Sequence, residues 1–157
     1  MIFDLPYQSR FTTWDEVFQS ENGQHVGWAR DTVQITGTDG VTLQIGTLLI
    51  LSDDRKSAAI PADYTALTNA PAGKIVIFGG RDLVCNVSTG FNADIIEFKT
   101  GNLTQEGTVV SDGRNGGAIG DAEIKYPAGT TAPQKQAILA RLKAENGFKV
   151  LLQQVKG

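Results

Sequence analysis

The spacing of apolar positions changes character near residue 32. From there "DTVQITGTDGVTLQIG" places Val33 and Ile35, then Val41, Leu43 and Ile45, on alternate positions around Gly37-Thr38-Asp39-Gly40. Alternation of this kind belongs to a half-buried strand, and turn residues between two such runs predict a hairpin. An apolar strand is predicted over 47–51, closed by the charged turn "SDDRKS", and another over 57–60. A connection with no regular pattern then spans 61–73. The run "KIVIF" (74–78) is short, β-branched and bracketed by Gly73 and Gly79-Gly80, the signature of a buried strand. Further strands are predicted over 82–87, 93–99, 106–110 and 118–125, with "SDGRNGG" (111–117) as a long hairpin turn. Short strands punctuated at roughly ten-residue spacing predict an antiparallel sandwich or barrel.

One helix interrupts this pattern. In "AGTTAPQKQAILARLKAENG" Thr131 is placed as N-cap, Pro133 falls in the first turn where its missing N–H costs nothing, and Gln134 completes a capping box. Ile138, Leu139 and Leu142 form the stripe to be buried, and Asn146-Gly147 supplies the stop. The predicted helix covers 131–145, and "FKVLLQQV" (148–155) reads as a last strand returning to the sheet. The fold class is therefore mainly β with one C-terminal α-helix, a compact antiparallel β sandwich or barrel over 32–157.

Residues 1–31 lack that alternation and read as an N-terminal arm. Six of the chain's 12 aromatic residues (Phe3, Tyr7, Phe11, Trp14, Phe18 and Trp28) lie within the first 28 positions. "TWDEVFQSENG" offers Thr13 as N-cap and Glu16 at capping-box spacing, with Trp14, Val17 and Phe18 on one helical face and Asn22-Gly23 as stop. Two readings of this aromatic surface stay open: it folds back on its own domain, or it docks onto a partner.

Charge is uneven along the chain. The 157 residues carry a net charge of −3, but residues 132–157 hold five basic side chains (Lys135, Arg141, Lys143, Lys149, Lys156) against one acid. An acidic chain argues against a general nucleic-acid binder, which needs clustered Lys and Arg to neutralise phosphates. The basic segment reads as a solvated helix face and strand edge. No apolar run approaches the roughly 20 residues of a spanning helix, and "MIFDLPYQSR" has no apolar signal core. The expectation is a protein without a secretory signal or a membrane partner.

Candidate chemistry is sparse. His25 is the one histidine and has no second His or Cys at ligand spacing. Cys85, the one cysteine, alternates within "DLVCNVS" as a small buried hydrophobe would, and cannot form an internal disulfide. Asp53-Asp54 runs into Arg55-Lys56 without the alternating oxygen ligands of a calcium loop. The glycine-rich 111–117 segment lacks the Lys-Ser or Lys-Thr and the following helix of a phosphate cradle. No catalytic residue, metal or cofactor is predicted, and the chain is not expected to be an enzyme.

The segment "GDAEIKYPAGTTAPQKQAILARLKAENGFKVL" (120–151) has a strand ending in an aromatic-Pro pair, a Thr-rich cap, an Ala- and Leu-rich helix with Lys, an Asn-Gly stop and a final strand. In that order it resembles the C-terminal end of the lambda-type phage head decoration protein family. Upstream, "TGTDGVTLQIGTLLIL" followed by a charged turn and an Ala-rich strand is similar to the family's opening. The resemblance spans roughly residues 32–155, without residue-by-residue correspondence over 61–73 and 107–120, and the arm before residue 31 is longer than the family's pattern.

The resemblance implies a β-rich subunit, a homotrimer made in the host cytoplasm that sits at three-fold or quasi-three-fold positions on the outer surface of the icosahedral head. There it cements the major capsid protein against internal DNA pressure, with no catalysis and no direct nucleic-acid contact. It further implies that residues 1–31 are a capsid-binding arm, in part by strand addition, with Phe11, Trp14, Val17, Phe18 and Trp28 as the anchors. The alternative is a β-sandwich module of a phage tail or baseplate that binds a ligand or carbohydrate, its aromatics gathered in a concave site. A small β-rich enzyme is a third class, with no acid-base pair or nucleophile to support it.

Overall fold

The period-two run after residue 32 forms one wall of a barrel. The computed structural model describes residue 12 and residues 17–19, 28–81, 95–113 and 118–151. Through these the chain forms β1 (Phe18–Gln19), β2 (Trp28–Thr36), β3 (Thr42–Gln44), β4 (Leu48–Leu51), β5 (Ser57–Ala59), α1 (Tyr64–Thr68), β6 (Ile75–Phe78), β7 (Ile95–Glu97), β8 (Thr104–Gly113) and β9 (Ala118–Gly120). A 3-10 turn (Asp121–Glu123), α2 (Ala132–Asn146) and β10 (Lys149–Leu151) complete them. The chain is a mainly β protein with one long C-terminal helix.

Five strands close the barrel in the order β2-β5-β4-β6-β8. Its longest seam is the antiparallel β2·β8 ladder, from Trp28 opposite Gly113 to Thr36 opposite Thr104, with a register shift between Ala29 and Arg30. Along β2 the alternation is realised directly: Val33 and Ile35 are buried while Gln34 and Thr36 face solvent. All four residues of β6 are buried, so this strand is covered on both faces, as its uninterrupted apolar run requires. The barrel is mixed, because β5 runs parallel to β2, with Ser57 opposite Gln34 and Ala59 opposite Thr36.

Two predicted hairpins are not formed. The turn at 37–40 exists, but β3 pairs with β7 (Leu43 opposite Ile96) and not with β2. The cause is local to Gly37, where the Phe98 ring lies against the Cα and leaves no room for a Cβ. Phe98 then accepts the Gly40 N–H at 2.8 Å and donates its own N–H to Val41 O at 2.9 Å. The chain leaving β2 is thereby captured by the 95–100 segment. Likewise 111–117 does not fold β8 back on β9. Both flanks of β8 are occupied by β2 and β6, and β9 pairs instead with β1 and β10. The predicted strand over 118–125 stops at Gly120, and the strand predicted over 82–87 lies outside the described residues. Within the irregular 61–73 connection, α1 is capped by Asp63, which accepts the Ala66 N–H at 2.9 Å. A helix of five residues is too short to show a periodic signature.

α2 follows its prediction closely. Thr131 and Gln134 form the capping box, Gly147 ends the helix in the left-handed conformation, and Ile138, Leu139 and Leu142 are buried. The helix is the crossover between β9 and β10, which run parallel with Ala118 opposite Lys149. Polar contacts seat it as well. The Arg141 guanidinium donates to the carbonyls of Leu67 and Ala70, each at 2.9 Å, capping the end of α1, and to Glu145 at 3.0 and 3.1 Å. Glu145 also accepts the Gly73 N–H at 3.1 Å. The Arg141 hydrogen bonds hold the Glu145 carboxyl below its ordinary range against a smaller opposing effect of burial.

Leu142 is fully buried, so Leu142→Ala should cost about 2–5 kcal/mol in denaturant unfolding. A change near zero would mean that α2 does not contribute to the core. The lowered Glu145 carboxyl gives stability that is present above the unfolded-state value of 4.5 and is lost as pH falls through the lower folded-state value. Unfolding midpoints of wild type and Glu145→Gln should therefore differ most at neutral pH and converge in acid; a gap independent of pH would count against the pairing.

Candidate functional site

The arm was the sequence's candidate for partner binding, and the structure puts part of it inside the domain. Val17 is fully buried and Phe18 is 4% exposed, both within the main hydrophobic core. Val17 is helical but Phe18–Gln19 is already a strand, so the helix predicted through to Asn22-Gly23 ends before Phe18. β1 lies antiparallel to β9, with Phe18 opposite Ile119. These two side chains are therefore core residues, not exposed anchors. An apolar side chain seals the core only while it stays in place, and exposing a phenyl ring to reach a partner would forfeit that burial. The boundary drawn at residue 31 also falls inside β2, whose pairing begins at Trp28. Trp28 is placed by its backbone in the barrel wall. Phe11 and Trp14 lie outside the described residues.

A polar clasp holds the same segment. Thr12 is buried; its hydroxyl donates to Glu123 Oε2 at 3.1 Å and accepts from Lys125 Nζ at 2.9 Å. Lys125 Nζ also donates to the Glu123 carbonyl at 3.0 Å and carboxylate at 3.1 Å. Beneath the clasp runs Gly46, where a Cβ would collide with the Glu123 carbonyl and press on Val17 at 3.1 Å. Lys125 N–H donates to Gly46 O at 2.8 Å and Leu48 N–H to Lys125 O at 3.1 Å. Thr12, Val17 and Phe18 are thus laid over a platform built from the 44–48 and 118–125 segments, which no local pattern in the arm foretold.

The basic segment is only partly a solvated face. Arg141 is committed to α1 and Glu145, whereas Lys135, Lys143 and Lys149 are exposed. Lys135 Nζ stands 5.4 Å from the centroid of Tyr126. Burial first, and Asp121 second, push the Tyr126 hydroxyl up to about 12, so it stays protonated near neutrality. The "SDDRKS" segment is a self-contained turn: Asp54 accepts from Ser52 Oγ at 2.6 Å and Lys56 N–H at 3.0 Å, which keeps its carboxyl below the usual range. Arg55, with φ of 59°, fastens the turn to the barrel through Asp31 at 2.6 Å and Ser111 at 2.8 Å.

One open groove of about 500 Å³ runs over the outside of β5, lined by Gln34, Thr36, Ile50, Ser57, Ala59 and Ile60 among others. It exists because β5 offers only serine and alanine to the surface between larger neighbours. No aromatic ring lines it. Among the described residues no group of three or more His, Cys, Asp and Glu could hold a metal ion, and no helix is long and apolar enough to cross a membrane. His25 and Cys85 lie outside the described residues.

The placement of Phe18 is directly testable. Phe18→Ala should lower unfolding stability by about 3–5 kcal/mol in the isolated protein. A residue serving only as a docking anchor would leave that stability unchanged. Set against known proteins, the chain matches no family model, no curated protein and no solved structure.

Proposed function

We propose that this chain is a phage head decoration protein of the lambda type, a homotrimer that cements the major capsid protein from the outer surface of the head. The reading rests on the 120–151 segment. Its cap at Thr131, helix α2, Asn-Gly stop and final strand β10 stand in the order by which the sequence resembles that family, while the strand before them ends at Gly120 and not at Tyr126-Pro127. The β-rich body that carries this unit is of the class the resemblance implies.

In this reading the chain performs no catalysis. It adds contacts across neighbouring capsid subunits, and each copy raises the free energy needed to part them. With Val17 and Phe18 taken into the core, Phe11 and Trp14 carry the proposed anchoring role, and strand addition by the segment before Thr12 is the mode. The rival reading, a carbohydrate-binding module, gains no support from the groove over β5, because sugar faces stack on aromatic rings and its lining has none.

Virions purified from the phage that encodes the chain test this. Mass spectrometry should find it in fixed ratio to the major capsid protein. Heads made without it should lose their DNA on mild heating or chelation at conditions that intact heads survive. Chains found only in tail fractions, or heads equally resistant without the protein, would reject the proposal.

A further inference from the structure

Asn146-Gly147 ends α2, and chemically it is the dipeptide most prone to lose its side-chain amide, because the glycine nitrogen carries no neighbouring Cβ to hinder its attack. In this fold both reacting groups are held. Asn146 is 4% exposed, and its Nδ2 faces the carbonyl oxygens of Gly73 at 3.3 Å, Ile75 at 3.1 Å and Ser111 at 2.6 Å. Its Oδ1 has no hydrogen-bond partner among the described residues, so the side chain is bonded entirely through the nitrogen that deamidation removes. The Gly147 N–H is bonded to the Leu142 carbonyl, and Asn146 itself is helical. Ring closure needs the Gly147 nitrogen to swing onto Cγ, which breaks the cap and rotates the amide away from three carbonyls.

We propose that Asn146 is a conformation-gated modification site, inert while α2 is docked and open to spontaneous deamidation when it is released, so that release becomes irreversible. Once freed, the Gly147 nitrogen loses its proton and bonds to the Asn146 Cγ. The Cγ–Nδ2 bond breaks, ammonia leaves, and a succinimide forms. Water then opens the imide at either carbonyl to give aspartate or isoaspartate. Overall, one water is consumed and one ammonia is released, with no oxidation or reduction. The product cannot return to its site. Aspartate there would set a buried negative charge against the carbonyls of Gly73, Ile75 and Ser111 and at the C-terminus of a helix, where negative charge is disfavoured. Isoaspartate would add a backbone methylene at the cap. A chain that opens for long enough is thereby marked and prevented from refolding, which turns an equilibrium into a kinetic limit.

The test holds the full chain at mildly alkaline pH either natively or in urea, with tryptic mass mapping over time. Asn22-Gly23, Asn115-Gly116 and Asn146-Gly147 fall in three separate tryptic peptides, so the first two calibrate the reaction in urea. Loss of the Asn146 amide should be at least about tenfold slower in the native protein than in urea, as for any reaction that requires local opening. Equal rates in both conditions would overturn the proposal. The urea sample is then diluted, and refolded protein is separated from the remainder. Chains modified at residue 146 should be depleted from the refolded fraction. Their presence there at the same share as in the starting mixture would overturn the irreversible step.

Discussion

Closure of the barrel between β2 and β8 is the constraint on which the remaining structure depends. The two strands are distant in sequence, as the 2.8 Å contact between the Thr36 and Thr104 hydroxyls across 68 positions shows. Once that ladder forms, β8 has β2 on one flank and β6 on the other, and no edge is left for β9. β9 must therefore find other partners, and it finds them in β1 and β10. The small sheet carrying the N-terminal segment and the C-terminal helix is in this sense a consequence of a saturated barrel strand. Closure also removes exposed edges that would otherwise pair with other chains.

Helix α2 is seated by two different kinds of force. Its apolar stripe supplies non-directional burial, which would tolerate some sliding and rotation. Orientation comes from two polar groups five residues apart on the helix. Arg141 satisfies the carbonyl end of α1, and Asn146 donates into the start of β6 and the end of β8. Buried hydrogen bonds of this sort have few acceptable geometries, so they select one docking among the many that burial alone would allow. The same guanidinium fastens the five-residue α1 to a distant helix through carbonyls at and just past its C-terminal end.

The N-terminal segment changes the terms on which a capsid-binding arm is conceived. Thr12, Val17 and Phe18 belong to the domain, so the anchoring role proposed for Phe11 and Trp14 falls on residues that flank Thr12, which the Glu123–Lys125 clasp fixes. The same clasp joins Thr12 to Glu123 and Lys125, within the 120–151 segment on which the proposed function rests.

Most elements were legible in the sequence because their signals are local. Alternation marked Val33 and Ile35, the all-apolar run marked β6, and capping chemistry marked both ends of α2 almost to the residue. Strand partners were not legible, because period-two alternation states which face is buried and not which strand lies alongside. A turn at 37–40 looks the same whether the chain returns to β2 or, as here, is captured by Phe98. The role of Phe18 was undetermined for the same reason: an aromatic side chain carries equal hydrophobic drive toward its own core and toward a partner's pocket. Only the tertiary structure decided between them, by offering β9 as a strand partner and a place for the ring in the domain's own core.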